Sequence, residues 1–438
     1  MKINFIKLLY EEENDMKKNK GITLVALVVT IVVLLILAGV SINLVLGDNG
    51  IIAKAKDAET KSAEASQNDL KGMNALVSEM EGVLNGNSGK TEPETVPYLP
   101  SDDFHYDTST SVDTGLVIQD GSGNEYVWVV VPRTTAVYKT TGLGKTTFTD
   151  ADYTSIETDL KEYTKIYRGS TSFTDTWYAD DTNEGWLSET EYKTLKNSML
   201  KSVYENGGFY VGRYEAGIGT NRTSKSATNS DGKYTIEGMP APLSKADAYP
   251  YTWVTRTQAQ NLASNVNSGT KTSSLMFGVQ WDLVLAFMHN KGNIADSTLT
   301  QNSTTIGNYY NSTFDLNRGK YAQYGQLGNP WKNFDSALGS IVVSNETTGK
   351  MKKTEQRSHS NSILITTGTS EKNKVMNIYD VAGNVWEWTL EKTSYTDDPC
   401  TRRGAGFSTT GLDNPVAFRA SFSTDSSYDL IGFRVSLF

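Results

Sequence analysis

The longest apolar stretch of the chain runs from Ile22 to Gly47 and contains no charged residue. About 20 such residues in a helix span the hydrocarbon core of a bilayer. Lys17, Lys18 and Lys20 precede the stretch and Asp48 is the first charge after it, so the positive-inside rule places the N-terminus in the cytoplasm. A cleaved secretory signal, the alternative, has an apolar core of only about 7–15 residues. The pattern therefore predicts one membrane-spanning helix over 22–47 that displays everything after it outside.

Apolar residues after this helix recur every three or four positions and form a single stripe. The stripe consists of Leu70, Met73, Val77, Met80 and Leu84. It predicts an amphipathic helical continuation over 48–86, which the Asn- and Gly-rich residues that follow bring to an end. The proline-containing residues 87–102 predict an extended linker.

From residue 103 the pattern changes to short apolar runs separated by long polar loops. It predicts two strands and two helices, at 125–132, 207–215, 257–266 and 279–289. Thr255 is the expected N-cap of the first of these helices. Whether 133–200 and 216–250 are insertions stays open. The pattern thus predicts an α+β protein in which a long N-terminal α-helix precedes a loop-rich domain over 103–438.

Composition and charge narrow the range of partners. The net charge of -9 and pI near 5.1 argue against a nucleic-acid partner, because phosphate binding needs a basic face. Cys400 is the single cysteine, so an intrachain disulfide is excluded, and three histidines argue against a His-ligated metal centre. The 23 tyrosines and 37 glycines are typical of adaptable recognition surfaces, or simply of loops.

The junction before the apolar helix carries a recognisable motif. Residues 20–24, Lys-Gly-Ile-Thr-Leu, resemble the type IV prepilin leader, which a prepilin peptidase cleaves after the glycine. The resemblance implies a leader over 1–21, cleavage between Gly21 and Ile22, and a place on the bacterial cell surface or in a filament with other pilin subunits. Ala26 stands where most type IV pilins carry glutamate, so polymerisation stays open. Met1 and Met16 are alternative starts.

Four further motifs follow one another in the globular region, at Gly207–Glu215, Tyr379–Trp388, Arg403–Ser408 and Ile431–Val435. Together they resemble the formylglycine-generating enzyme (sulfatase-modifying factor) family over about 115–438. The resemblance implies a variant of the C-type lectin fold for the loop-rich domain. The large aromatic residues near these motifs are predicted to be core: Trp128, Trp386, Trp388, Phe407 and Phe433.

The central motif contains two carboxylates, Asp380 and Glu387, in a tight Gly-Asn turn. Calcium binds carboxylate and backbone carbonyl oxygens, and such a turn exposes both. The resemblance implies a structural calcium whose ligands are Asp380, Glu387 and the carbonyls of Gly383 and Val385. In the alternative interpretation Glu387 pairs with an arginine, either Arg403 or Arg434.

The enzymes of this family oxidise a substrate cysteine with two C-terminal cysteines that bind copper. The matching positions here are Gly411 and Val416, and Cys400 lies upstream of both. Copper(I) needs more than one soft ligand of this kind. We therefore predict that the domain binds no copper and is not an enzyme, with a membrane-tethered oxidase as the alternative.

The same fold resembles the variable proteins of diversity-generating retroelements, whose ligand contacts lie in the C-terminal part. We therefore predict a surface-displayed, pilin-like protein of the adhesin or receptor type that binds an extracellular protein or carbohydrate; a minor structural pilin is a further alternative. The predicted contact positions are Tyr395, Asp397, Thr409, Asp413, Asn414, Phe418, Phe422, Ser423, Asp425 and Tyr428. The competing interpretation is that several of them, Phe418 and Phe422 above all, are core. Whether this segment is diversified stays open.

Overall fold

The computed structural model describes residues 29–31, 97–169, 172–312, 314–316, 318–323, 331–333, 341–343 and 362–438. The chain divides into two units, 1–74 and 75–438. Residues 29–31 of the first unit are helical and exposed. The rest of the predicted transmembrane helix, the leader with Gly21 and Ile22, and the continuation over 48–86 lie outside the described residues. Within the described ranges, no helix is both long and apolar enough to cross a bilayer.

The described helices are α1 (Asp150–Tyr163), α2 (Lys165–Arg168), α3 (Glu189–Asn206), α4 (Arg256–Ala263), α5 (Gly278–Asn290) and α6 (Asp296–Thr300), with a 3-10 turn at Glu371–Asn373. Two of them confirm the sequence predictions. Helix α4 begins after Thr255, whose side chain accepts the backbone N–H of Gln258 as expected of an N-cap, although it ends three residues earlier than predicted. Helix α5 agrees with its predicted bounds to within one residue.

Helices α1 and α3 were not predicted. Each begins with a capping box, formed by Thr149 with Asp152 in α1 and by Ser188 with Glu191 in α3. Gly207 ends α3 in the left-handed region with φ of 69°, a conformation that glycine adopts without steric cost. In α1 the apolar residues Tyr153, Ile156, Leu160 and Tyr163 recur every three or four positions, so both this periodicity and the capping motifs were readable from the sequence.

The strands, in chain order, are β1 (His105–Tyr106), β2 (Val117–Gln119), β3 (Glu125–Val130), β4 (Phe173–Thr174), β5 (Gly208–Gly212), β6 (Gly217–Ile218), β7 (Tyr249–Pro250), β8 (Ser273–Leu275), β9 (Phe314–Leu316), β10 (Lys320–Gln323), β11 (Lys332–Asn333), β12 (Ile341–Val343), β13 (Ile363–Ile365), β14 (Lys374–Val375), β15 (Ile378–Tyr379), β16 (Trp386–Thr393), β17 (Cys400–Arg403), β18 (Arg419–Phe422), β19 (Ile431–Phe433) and β20 (Val435–Leu437).

The largest sheet is six-stranded and antiparallel, in the order β1-β2-β3-β5-β20-β8. Strand β3 is buried along most of its length, as its continuous apolar run predicts. Gly208 in β5 has no room for a side chain, because a Cβ there would lie 2.4 Å from the carbonyl oxygen of Val129. The two predicted strands are thus neighbours in this sheet.

A second, five-stranded sheet carries the C-terminal motifs, in the order β18-β17-β16-β19, with β4 pairing the far end of β16. Strands β16 and β19 are parallel, and the other pairs are antiparallel. Helix α5 contacts both β3 and β16, and therefore bridges the two sheets. The predicted core aromatics are all at most 3% exposed, which confirms them as core: Trp128, Trp386, Trp388, Phe407 and Phe433.

Small sheets complete the domain, in the orders β11-β10-β13, β12-β9, β14-β15 and β6-β7.

The start of the domain differs from the predicted linker over 87–102. The ring of Tyr98 packs edge-on against Trp128 and Tyr210, and its carbonyl accepts the Tyr210 hydroxyl at 2.8 Å. Residues 97–102 therefore belong to the packed domain, since this aromatic contact anchors them. The described domain as a whole mixes helices and strands and is β-rich toward the C-terminus, which agrees with the predicted α+β class.

Candidate functional site

Two consecutive arginines on β17 point to opposite faces of the second sheet, because side chains alternate along a strand. Arg403 is fully buried, whereas Arg402 is only partly buried. The strand register places Arg402 opposite Trp388 on β16 and opposite Ala420 on β18. Directly paired residues share a face, so Arg402 lies on the outer face, in the middle of the sheet.

Arg402 is held between two aromatic rings. Its guanidinium carbon lies 4.2 Å from the ring centre of Trp386 and 3.9 Å from that of Phe422. Trp386 also contacts Phe418, and Phe422 contacts Tyr428. Phe418 is 39% exposed and Tyr428 46%. These residues form a cation and a buried tryptophan surrounded by rings that reach solvent. We call them the aromatic patch: Arg402, Trp386, Phe418, Phe422 and Tyr428.

The guanidinium of Arg402 contacts aromatic rings and not acidic side chains in the described part of the chain. Among the described residues it forms no ion pair, and its buried Nε has no hydrogen-bond acceptor. Burial lowers the pKa of Arg402 to about 9, and the nearby Tyr428 hydroxyl opposes that shift weakly. The side chain is therefore still a cation at neutral pH. Cation–π contact compensates part of its desolvation, and the buried Nε is left without an acceptor.

The inner face of the same sheet contains a buried ionic cluster. Arg419 bonds to Asp282 at 2.6 Å and to Glu391 at 3.0 Å, and Arg403 bonds to Asp282 at 2.9 Å. Arg168 also pairs with Asp282, at 3.0 Å. The two carboxylates raise the pKa of Arg419, while burial lowers that of Arg403 to about 10. Because Asp282 belongs to α5, these bonds fix β17 and β18 against the helix and hold the aromatic patch in place.

The central turn pairs Glu387 with an arginine, as in the second of the two sequence interpretations. The guanidinium of Arg434 donates to both carboxylate oxygens of Glu387, at 2.7 Å and 3.1 Å. Arg403, the other candidate, pairs with Asp282 instead. The Asp380 carboxylate accepts the backbone N–H of Gly368 at 2.8 Å.

A third buried carboxylate, Glu215, joins this turn. It accepts the Asn384 side-chain amide at 2.7 Å and the Val385 backbone N–H at 3.1 Å. Burial raises the pKa of Glu215, Glu387 and Asp380, the last to about 6. Glu215 lies in a motif singled out from the sequence, but its place beside Asp380 and Glu387 depends on the fold.

The described arrangement fits the implied calcium poorly. Both oxygens of Glu387 are held by Arg434, whose positive charge would repel a cation bound there. Within the described ranges, no group of three or more His, Cys, Asp and Glu side chains is placed to hold a metal ion. The ion pair accounts for Glu387 without a metal, and the calcium set of Asp380, Gly383, Val385 and Glu387 stays a prediction for direct test.

The predicted contact positions are all at least partly exposed, although Phe422 also packs against the hydrophobic core. The exposed ones are Tyr395, Asp397, Asp413, Phe418, Asp425 and Tyr428, and the half-buried ones are Thr409, Asn414, Phe422 and Ser423. The fold brings Phe418, Phe422 and Tyr428 together around Arg402 in the aromatic patch. Tyr395 and Asp397 lie in the turn between β16 and β17, and Ser423 bonds to Asp425 at 2.6 Å.

The positions that match the enzyme family's cysteines are closely packed. Gly411 has no room for a side chain, because a Cβ would lie 2.3 Å from the backbone nitrogen of Thr304. Val416 is completely buried, and its carbonyl accepts the indole N–H of Trp281 at 3.2 Å. Burial raises the pKa of the Cys400 thiol to about 11, so it stays protonated at neutral pH. The residues present do not fit a copper site of the family type.

The sequence interpretation missed Arg402 and assigned Trp386 to the core alone. The consecutive arginines Arg402 and Arg403 were the available signal, because adjacent side chains point to opposite faces wherever the chain forms a strand. Trp253 was also missed. It has φ of 60°, uncommon for a bulky residue, and its N–H donates to the Tyr428 carbonyl at 3.0 Å, so its backbone supports the rim of the patch.

Comparison with known proteins places this surface within a recognised domain type. Residues 320–437 match the Sulfatase-modifying factor enzyme 1-like domain, which covers the second sheet and the last part of the span that the motifs predicted. No curated protein matches the chain.

Solved structures with some similarity include CarF, with 12% identity over 52% of this chain and 85% of that one, at a TM-score of 0.29. PvdO from Pseudomonas aeruginosa has 14% identity over 53% of this chain and 81% of that one, at a TM-score of 0.26. Variable protein 1 of Treponema denticola has 11% identity over 71% of this chain and 84% of that one, at a TM-score of 0.21. These TM-scores are too low to establish a common fold, and the finding that remains is the domain match over residues 320–437.

Proposed function

We propose that this chain is a non-catalytic binding protein of the adhesin or receptor type, displayed on a bacterial surface by its N-terminal apolar helix. Its ligand, an extracellular protein or carbohydrate, contacts the aromatic patch and the loops around it. The observation that carries the proposal is Arg402, an unpaired cation between Trp386 and Phe422. Exposed rings beside a desolvated arginine are the composition typical of binding hot spots.

The rigidity of the surface supports this function. Arg403 and Arg419 tie β17 and β18 to α5 through Asp282, so the patch is held before a ligand arrives. A preorganised surface loses less conformational entropy on binding than a mobile one does. The exposed residues of 393–428 surround the patch on loops, which is the arrangement that variation of ligand contacts requires.

The proposal is tested with the full-length chain, purified in detergent and screened against extracellular proteins and glycans. A ligand is expected whose affinity falls at least tenfold in Phe418→Ala and in Tyr428→Ala. Ile166→Ala is the matched control, since Ile166 is 53% exposed and lies on α2, outside the predicted contact segment. No binding above background, or equal losses in all three variants, would contradict the proposal.

A further inference from the structure

Strand β18 forms an open edge of the second sheet. It pairs with β17 along its whole length. In the part of the chain that the structure describes, no other strand pairs with it, and no backbone hydrogen bond outside the sheet involves residues 419–422. In an antiparallel pair, alternate residues direct both their N–H and their C=O away from the partner strand. Such an edge is a template for one more strand.

The outer face above this edge is built to receive a side chain from that strand. Ala420 lies directly opposite Arg402, and Phe418 and Phe422 flank Ala420 on the same face. A residue added opposite Ala420 would have its Cα about 10 Å from that of Arg402, two strand spacings away. Ala420 contributes only a methyl group between them, and an arginine and a glutamate side chain together cover that distance.

The charge on this face selects the chemistry of the incoming group. Arg402 has no acidic partner among the described residues, and its Nε donates no hydrogen bond. Guanidinium groups bind carboxylates through paired hydrogen bonds. The rings of Trp386 and Phe422 hold the guanidinium between them, so little side-chain freedom is lost when a carboxylate binds.

We propose that the ligand is an extended peptide segment of another protein, which adds to the edge of β18 and places an acidic side chain on Arg402. This inference rests on the proposed binding function and names the class of partner. A peptide fits better than an acidic sugar, because the open edge offers a ladder of backbone donors and acceptors that only another backbone matches. The flanking phenylalanines then contact apolar side chains two residues to either side of the acid.

The test is a selection of randomised ten-residue peptides on the immobilised full-length chain, run in parallel on Arg402→Gln and on Arg318→Gln. Both variants change the net charge equally, and Arg318 pairs with Glu371, away from the patch residues. Peptides from the wild type and from Arg318→Gln should be enriched in Asp or Glu with apolar residues at alternate positions. The best of them should bind Arg402→Gln about tenfold or more weakly and lose binding when its backbone amides are methylated.

Each other result identifies which proposal fails. Enriched peptides without acidic residues, lost on Phe418→Ala but bound equally by Arg402→Gln, would overturn the inference and leave the binding function standing. If no peptides are enriched but carboxylated sugars on a glycan array bind in an Arg402-dependent way, the ligand is a glycan and not a peptide. Neither peptide nor glycan binding would overturn both proposals.

Discussion

Arg434 and Glu387 form a completely buried ion pair, with Nη2 of the arginine 2.7 Å from Oε1 of the glutamate. Arg434 also donates to the carbonyls of Gly212 and Tyr379, at 2.9 Å and 2.8 Å. The Arg434 side chain therefore joins three strands: β5 of the first sheet, β16 of the second sheet, and β15 of the small β14-β15 sheet. Removing one member of a buried pair leaves the other charge uncompensated, which is far more costly than losing a surface pair.

We expect Arg434→Met to lower the free energy of unfolding by about 3–5 kcal/mol, and Glu387→Gln to lower it by less. Glutamine still accepts a hydrogen bond from Arg434, whereas methionine leaves the neighbouring carboxylates without a cation. Denaturant unfolding of the two variants and of the double variant measures the coupling. Lys193→Gln, which removes the exposed pair with Asp150, should cost at most about 1 kcal/mol. An equally small loss in Arg434→Met would contradict the proposed role of the buried pair.

Burial of Asp380 predicts a specific pH dependence. Its pKa is raised to about 6 in the folded chain, so the folded state binds a proton more readily than the unfolded state does. The resulting contribution to stability is fully present below the ordinary aspartate pKa near 3.8 and is lost as pH rises through 6. Asp380→Asn cannot ionise, and its amide oxygen can still accept the N–H of Gly368.

The stability of Asp380→Asn relative to the wild type should therefore increase between pH 5 and pH 7. Urea unfolding at a series of pH values measures this difference. Asp231→Asn, the same substitution at an exposed position, serves as the control. A difference between Asp380→Asn and wild type that does not change with pH would exclude Asp380 as the titrating group.

Calcium binding at the central turn is open to a direct experiment. Because Arg434 occupies both oxygens of Glu387, we expect the melting temperature to be the same in millimolar calcium and in excess chelator. A ligand that binds only the folded state raises the melting temperature as its concentration rises. A fall of several degrees on chelation, abolished in Asp380→Asn, would establish the calcium site that the family resemblance implies.

Two aromatic residues of the patch should separate stability from binding. Trp386 is 3% exposed and Phe418 is 39% exposed, although their rings are in contact. Trp386→Ala should cost about 3–5 kcal/mol of stability, whereas Phe418→Ala should cost about 1 kcal/mol or less and weaken ligand binding. Thermal melts and binding isotherms on the same preparations compare the two; a large stability loss in Phe418→Ala would place that side chain in the core.

The oxidase alternative gives a clear chemical outcome. We expect no aldehyde when the full-length chain is incubated with copper, oxygen and a cysteine-containing sulfatase peptide, because Gly411 and Val416 carry no thiol. Mass spectrometry of the peptide detects the loss of sulfur that aldehyde formation requires. An aldehyde above the level of a chain-free control would refute the non-catalytic proposal.

Features set by neighbours in sequence could be predicted before the fold was known. Thr255 caps α4 and the apolar run of 279–289 forms α5, because caps and periodicity act over a few residues. The capping boxes and apolar spacing of α1 and α3 were equally local signals, although the two helices were not predicted. Exposure of Tyr395 and Asp397 followed from their polar, loop-like surroundings.

The sequence by itself determined the apolar segment over 22–47, the core aromatics, the missing cysteines and the segment in which the predicted contact positions lie. Only the tertiary structure decided that Glu387 pairs with Arg434 and that Arg403 faces Asp282. It also decided that Arg402 stays unpaired between Trp386 and Phe422. These outcomes depend on strand register and on contacts between residues far apart in the chain. Which charged side chains pair depends on the distances between them, and these distances are set only once the sheets and α5 have packed together.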